Sequence, residues 1–148
     1  MKAIPIMPID LLWLAPHAIG DHHRFANVFR GVWQKIPLRA RGQMVRRWRG
    51  HDGPTVELLA DWENRRGSFA RCSAAGCRLR FHCPTTDAMP ARILAGLIAH
   101  ELAHVVQFVR LGCFTLPDGW KLEIEADTVA KGWGFAGRSE IEAEMRWS

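Results

Sequence analysis

Apolar positions change their period twice along this chain, and each change marks a new element. Phe25, Val28, Phe29, Val32, Trp33 and Ile36 recur every three to four residues. That spacing predicts a helix from about His22 to Lys35 with one broad buried stripe, Asp21 standing as its N-cap. Pro37 suits the first turn of a second helix running to about Arg49, which turns Leu38, Met44, Val45 and Trp48 inward. Gly50-His51-Asp52-Gly53-Pro54 ends this pattern. Three strands are then expected, over Thr55 to Trp62, Ser68 to Cys72 and Cys77 to Cys83, the last two joined as a hairpin. In the third, Leu79 and Phe81 alternate with Arg78, Arg80 and His82, so one face is buried and one is wet.

The period returns to helical from Pro90 to about Leu111. Ile93, Leu94, Leu97, Ile98, Leu102, Val105, Val106 and Val109 make this segment apolar around much of its circumference, as in a central, nearly buried helix. A loop through Pro117-Asp118-Gly119 leads to a helix over about Trp120 to Lys131. Ser139 with Glu142 forms a capping-box pattern for a short last helix.

The length, 148 residues, suits one domain with a proper core. The expected class is α+β: an N-terminal helix pair, a three-stranded sheet, an active-site helix and a glutamate-bearing helix, with residues 1–20 as a docked N-terminal arm. No run of roughly 18 apolar residues suggests a bilayer span, and Pro5, Pro8, Asp10 and Pro16 interrupt the apolar start. No A-x-A-like cleavage site follows it, and a cytoplasmic location is the default expectation. Cys72, Cys77, Cys83 and Cys113 are too irregularly spaced for a secreted disulfide framework. They also lack the C-x2-C knuckle of a cysteine-based metal site, although a Cys72–Cys77 disulfide could form if the protein meets oxidant.

Within the apolar helix stand His100, Glu101 and His104, which would be costly there without partners. Histidines at i and i+4 lie on one helix face, so both imidazoles can reach a single metal ion. Glu101 sits where it can take a proton from an attacking water. A third ligand has to come from elsewhere, and Glu123-Ile124-Glu125-Ala126-Asp127 offers two candidates. Spacing alone does not choose between Glu123 and Glu125. Asp127 lies one turn after Glu123 on the same face, where it could receive the ring N–H of a ligand histidine if Glu123 ligates.

His100-Glu101-x-x-His104 followed by Glu123-x-x-Ala126-Asp127 resembles the gluzincin clan of zinc metallopeptidases, whose members carry HExxH on one helix and E-x-x-(A/S)-D on the next. The order of elements is similar to that of small gluzincins, including ImmA/IrrE-like and minigluzincin proteins. The specific motifs span Pro90 to about Gly132. The resemblance implies a zincin-like fold and a Zn2+ cofactor, with His100, His104 and Glu123 as ligands. It also implies Glu101 as general base, Asp127 as partner of His100, and a peptide or protein substrate. An extended substrate would pair with a sheet edge, for which Cys77 to Cys83 is the expected strand. Many gluzincins set a tyrosine or histidine over the developing oxyanion, and this chain has no tyrosine. His82, His51 and Arg138 are the candidates for that role.

A second class of reading rests on the formal charge of +5 and on Arg39, Arg41, Arg46, Arg47 and Arg49. These could make a non-catalytic zinc module that contacts nucleic acid or an acidic protein. No recognised DNA-binding motif accompanies them, Trp33 and Trp48 fit core positions better than stacking platforms, and a solvated helix face explains the cluster.

Overall fold

The computed structural model describes residues 22–48, 55–59, 70–73, 78–111 and 120–146. The proposed arm over 1–20, Asp21, His51 and the loop through Pro117 lie outside the described residues. The elements, in order, are helices α1 (His22–Lys35) and α2 (Leu38–Trp48) and strands β1 (Thr55–Leu59), β2 (Ala70–Ser73) and β3 (Arg78–His82). Helices α3 (Cys83–Ala88), α4 (Ala91–Leu111), α5 (Trp120–Gly132) and α6 (Arg138–Arg146) complete them. The chain is α+β, mostly helical, with one small sheet.

Most boundaries fall within a residue or two of the periodicity. α3 was not anticipated: it follows β3 directly, with Pro84 in its first turn, where fixed φ and a missing N–H cost least. The strand over Thr55 ends at Leu59 among the described residues. In α2, Met44 and Trp48 are buried and Val45 packs against the core as expected, but Leu38, the first residue of the helix, is 59% exposed.

The sheet order is β1-β3-β2, with β1 parallel and β2 antiparallel to β3. The expected β2–β3 antiparallel pair is present. The expectation that Cys77 to Cys83 forms a sheet edge is overturned. β3 is the central strand, hydrogen-bonded on both sides, so its backbone groups have no capacity left for a docked peptide. Among the described strands, β1 and β2 are the edges. The alternation along β3 is as expected, Leu79 and Phe81 being fully buried. On the wet face Glu57 of β1 lies 3.5 Å from Arg78 and 3.6 Å from Arg80.

α4 packs against α1, α2, α5, α6 and β2, which is why its sequence is apolar nearly all round. It is the one described helix long and apolar enough to cross a bilayer, yet 78% of that stretch is buried inside the fold. Burial of that extent marks the core helix of a folded domain. Around it, Phe25 meets Phe81 edge-on at 4.9 Å, and Trp33 stacks on Trp48 at 5.8 Å. Both tryptophans are buried, so neither is a platform for nucleic-acid bases.

The approach of α6 to α4 has one tight point. A Cβ at Gly96 would lie 2.6 Å from the carbonyl oxygen of Ala136. Gly134, with φ of 98°, turns the chain after α5 so that Ala136 can reach this position. In an unobstructed helix, Gly→Ala stabilises by about 1 kcal/mol. Here the obstacle is backbone, and overpacking of about 1–3 kcal/mol is expected to dominate. Gly96→Ala should therefore lower the thermal midpoint; a rise would show that the α4–α6 junction yields freely.

Candidate metal centre

α4 carries His100, Glu101 and His104 in its middle two turns, and all three are buried. Helical spacing stacks the two imidazoles, with centroids 4.7 Å apart and rings nearly perpendicular. One carboxylate oxygen of Glu101 and one nitrogen of each ring lie within 4.8 Å of one another, a group that could hold a metal ion.

α5 crosses beside this face and brings in Glu123. Its Oε2 lies 2.8 Å from His100 Nε2 and 3.3 Å from His104 Nε2. Two donors on a tetrahedral zinc, each about 2.0–2.1 Å from the ion, stand roughly 3.3 Å apart. The His104–Glu123 pair already has that separation, and the His100–Glu123 pair would open by a few tenths of an ångström. Two imidazoles and a carboxylate are a donor set that suits zinc, so the residues fit a divalent ion.

Glu125, the other candidate, points away. Its carboxylate binds Arg110 at 2.6 and 3.0 Å and accepts a hydrogen bond from Gln107 Nε2 at 2.9 Å. The alternation along α5 explains the division. Residues two apart in a helix face roughly opposite sides, and only the side of Glu123 meets the histidines.

Gln107 is the site residue that sequence reasoning missed. It is 2% exposed, and its Nε2 donates to Leu122 O and to Glu125, both of which can only accept. Its Oε1 must therefore accept, and it receives His104 Nδ1–H at 2.7 Å. The hydrogen bonds thus place a proton on Nδ1 and turn Nε2 toward Glu123. A glutamine seven residues after His100 and three after His104, hence on the helix face of both, was the available signal.

Asp127 behaves differently from the expectation. Its Oδ1 accepts the backbone N–H of Arg138, and the described hydrogen bond of His100 goes to Glu123. One turn beyond Glu123, Asp127 reaches the start of α6, where a Cβ on Gly137 would lie 3.1 Å from its Oδ1. It caps α6 in place of Ser139, which falls inside the first turn, exposed. Glu142, the expected capping-box partner, instead accepts from Arg138 Nε at 2.9 Å.

The two carboxylates are held in opposite conditions. Burial pushes the Glu101 carboxyl above the ordinary range, with His104 and His100 opposing it. Hydrogen bonds from His100 and His104 hold Glu123, which is half exposed, well below that range. Burial opposes charging of His104, but Glu123 and Glu101 outweigh it and push its pKa up to about 9. A raised acid beside a depressed one is the arrangement that separates proton-handling from charge-bearing roles.

Of the three oxyanion candidates, Arg138 reaches the site: its Nη1 lies 3.8 Å from Glu123 Oε2. His82 shares a hydrogen bond with Thr85 Oγ1, and His51 lies outside the described residues. Cys72 is half-buried against the core; the side chains of Cys77, Cys83 and Cys113 lie outside the description. On α2, Arg39 and Arg46 are exposed and Arg41 and Arg47 half-buried; Arg49 lies outside the described residues.

The fold and site together define an α+β protein with a buried His-Glu-His group able to hold a metal ion. Comparison of the chain with protein-family models, with characterised proteins and with solved structures finds no match.

Proposed function

We propose that this protein is a small zinc-dependent metallopeptidase of zincin-like architecture that hydrolyses peptide bonds. The observation that carries the reading is the meeting of His100 Nε2, His104 Nε2 and Glu123 Oε2 beside a buried carboxyl whose pKa is raised. In this reading His100, His104 and Glu123 are the ligands and Glu101 is the general base. Zinc, when bound, supplies Lewis acidity and brings the pKa of water toward roughly 7.

The chain's own groups divide the remaining work. Glu101 accepts the proton of the attacking water and returns it to the departing amine, which a carboxyl with raised pKa does more readily than an ordinary one. Gln107 holds the His104 ring by its Nδ1–H and keeps Nε2 free as a donor. Burial of the α4 face limits competing water, while half-exposed Glu123 marks the open side from which a substrate arrives.

The test is cleavage of a mixed peptide library, lost on chelation and restored by zinc. Metal analysis of two variants checks the ligand set. Glu123→Ala should lose zinc, whereas Glu125→Ala should retain it, since Leu122 O still fixes Gln107. Retention by the first and loss by the second would reassign the ligand, and an inert library would remove the peptidase reading.

A further inference from the structure

We propose that Arg138 binds the scissile carbonyl oxygen as it gains negative charge, taking the place that tyrosine cannot fill in this chain. The inference rests on the peptidase reading above. Three contacts fix where the guanidinium stands. Asp127 Oδ1 holds the Arg138 backbone N–H, Glu142 Oε1 holds Nε at 2.9 Å, and the Gly96–Ala136 approach presses the start of α6 onto α4. Gly96 lies one turn before His100 on the same helix face, so the element that carries Arg138 is seated directly beside the histidines. Gly137 tightens the junction, since a Cβ there would meet Lys131 Cδ at 2.7 Å and Asp127 Oδ1 at 3.1 Å.

With Nε occupied by Glu142, Nη1 is the nitrogen near the site, lying 3.8 Å from Glu123 Oε2. That oxygen lies 2.8 and 3.3 Å from the two histidine Nε2 atoms, so a donor this close to it can reach an oxygen of a substrate seated beside the same group. The side chain is 57% exposed, which leaves it open to a substrate, and its anchors restrict its rotation before one arrives. Pre-positioned donors stabilise developing charge without reorganising during the reaction. Arg110, on the same helix as the histidines, is committed to Glu125.

In the step concerned, water oxygen bonds to the carbonyl carbon, the π pair moves onto the carbonyl oxygen, and Glu101 takes the water proton. Arg138 donates an N–H to that oxygen. The pair returns as the C–N bond breaks, and Glu101 passes its proton to the amine. Asp127 and Glu142 act through Arg138 as positioning residues. A substrate C-terminal carboxylate is the competing ligand of the same chemistry; the closeness of Nη1 to the histidine pair favours the carbonyl oxygen.

The experiment compares Arg138→Gln and Arg138→Lys with the unaltered zinc-loaded protein, on one cleaved peptide made as free acid and as C-terminal amide. Binding of a phosphinic peptide, which mimics the tetrahedral state, is measured by calorimetry alongside. Expected for Arg138→Gln is a fall in kcat of about 10²–10³-fold on both peptides with KM little changed. Phosphinic-peptide affinity should fall as well, with zinc content unchanged and partial recovery in Arg138→Lys. Unchanged kcat and inhibitor affinity would overturn the proposal. So would a rise in KM confined to the free-acid peptide, which would make Arg138 a carboxylate receptor, or a loss of activity that tracks loss of zinc. If the unaltered protein neither cleaves nor binds the phosphinic peptide, the peptidase reading itself falls. Cleavage at an unchanged rate without Arg138 removes only this inference.

Discussion

Glu101→Gln is expected to lower peptide hydrolysis by roughly 10²–10⁴-fold while leaving zinc content unchanged. The amide matches the carboxyl in shape but cannot accept and return a proton. The variant separates two roles that distance alone leaves together, because a Glu101 oxygen stands within ligand range of both histidines. If Glu101 were a ligand, the substitution would release metal; if it is the base, metal stays and turnover goes. Its effect on stability should run the other way. Burial disfavours the ionised Glu101 carboxylate and raises its pKa, a cost that the uncharged glutamine does not carry. The variant's thermal midpoint should equal or exceed that of the unaltered protein. Loss of zinc, or unimpaired cleavage, would refute the assignment.

The second large effect is the pH dependence of metal binding. In the metal-free protein the His104 pKa is pushed up to about 9, and Glu123 is held below the carboxylate range. His104 is therefore protonated at pH 7, whereas a ligand imidazole must be neutral. Zinc affinity should rise about tenfold per pH unit between roughly 7 and 9, then level off. Calorimetric titration at pH 7, in buffers of different ionisation enthalpy, should find about one proton released from this residue. Fold stability without metal has the opposite slope. The raised His104 pKa contributes stability in full below its unfolded value, near 6.5, and loses it as pH climbs through 9. The depressed Glu123 pKa contributes above about 4.5 and loses its share as pH falls through the lowered value. Metal-free protein should thus be most stable between about pH 4.5 and 6.5, where zinc binds less well than at 8 or 9. Affinity that does not vary with pH would show that His104 is not the residue giving up the proton.

The helices were legible in the sequence because their buried stripes are long and their period is strong. α1 and α4 follow from Phe25 to Ile36 and from Ile93 to Val109, within a residue or two. The candidate donors were legible for the same reason, since helix geometry alone places His100 and His104 on one face. α3 was not, because six residues carry too little periodicity to announce a helix. The position of β3 was not, because alternation reports which face is buried and says nothing of how many neighbours a strand has.

The reading at Asp127 shows the boundary most clearly. Spacing put it on the face of Glu123 and made a histidine its natural partner. The turn at Gly134 and the close approach at Gly96 bring the start of α6 to Asp127, whose carboxylate accepts the Arg138 backbone N–H instead. Gln107, Glu125 and Arg110 likewise form a chain of hydrogen bonds from α5 to His104 that involves residues 15 and 18 positions apart.

By itself, then, the sequence determined which residues could ligate a metal and on which helix faces they lie, because periodicity is a local property of the backbone. The tertiary structure brought Glu123 rather than Glu125 to the histidines, gave His104 its partner, set Asp127 against the Arg138 backbone and brought Arg138 to the site. Each of those depends on where a second helix crosses the first, and that is settled by packing between elements distant in the chain.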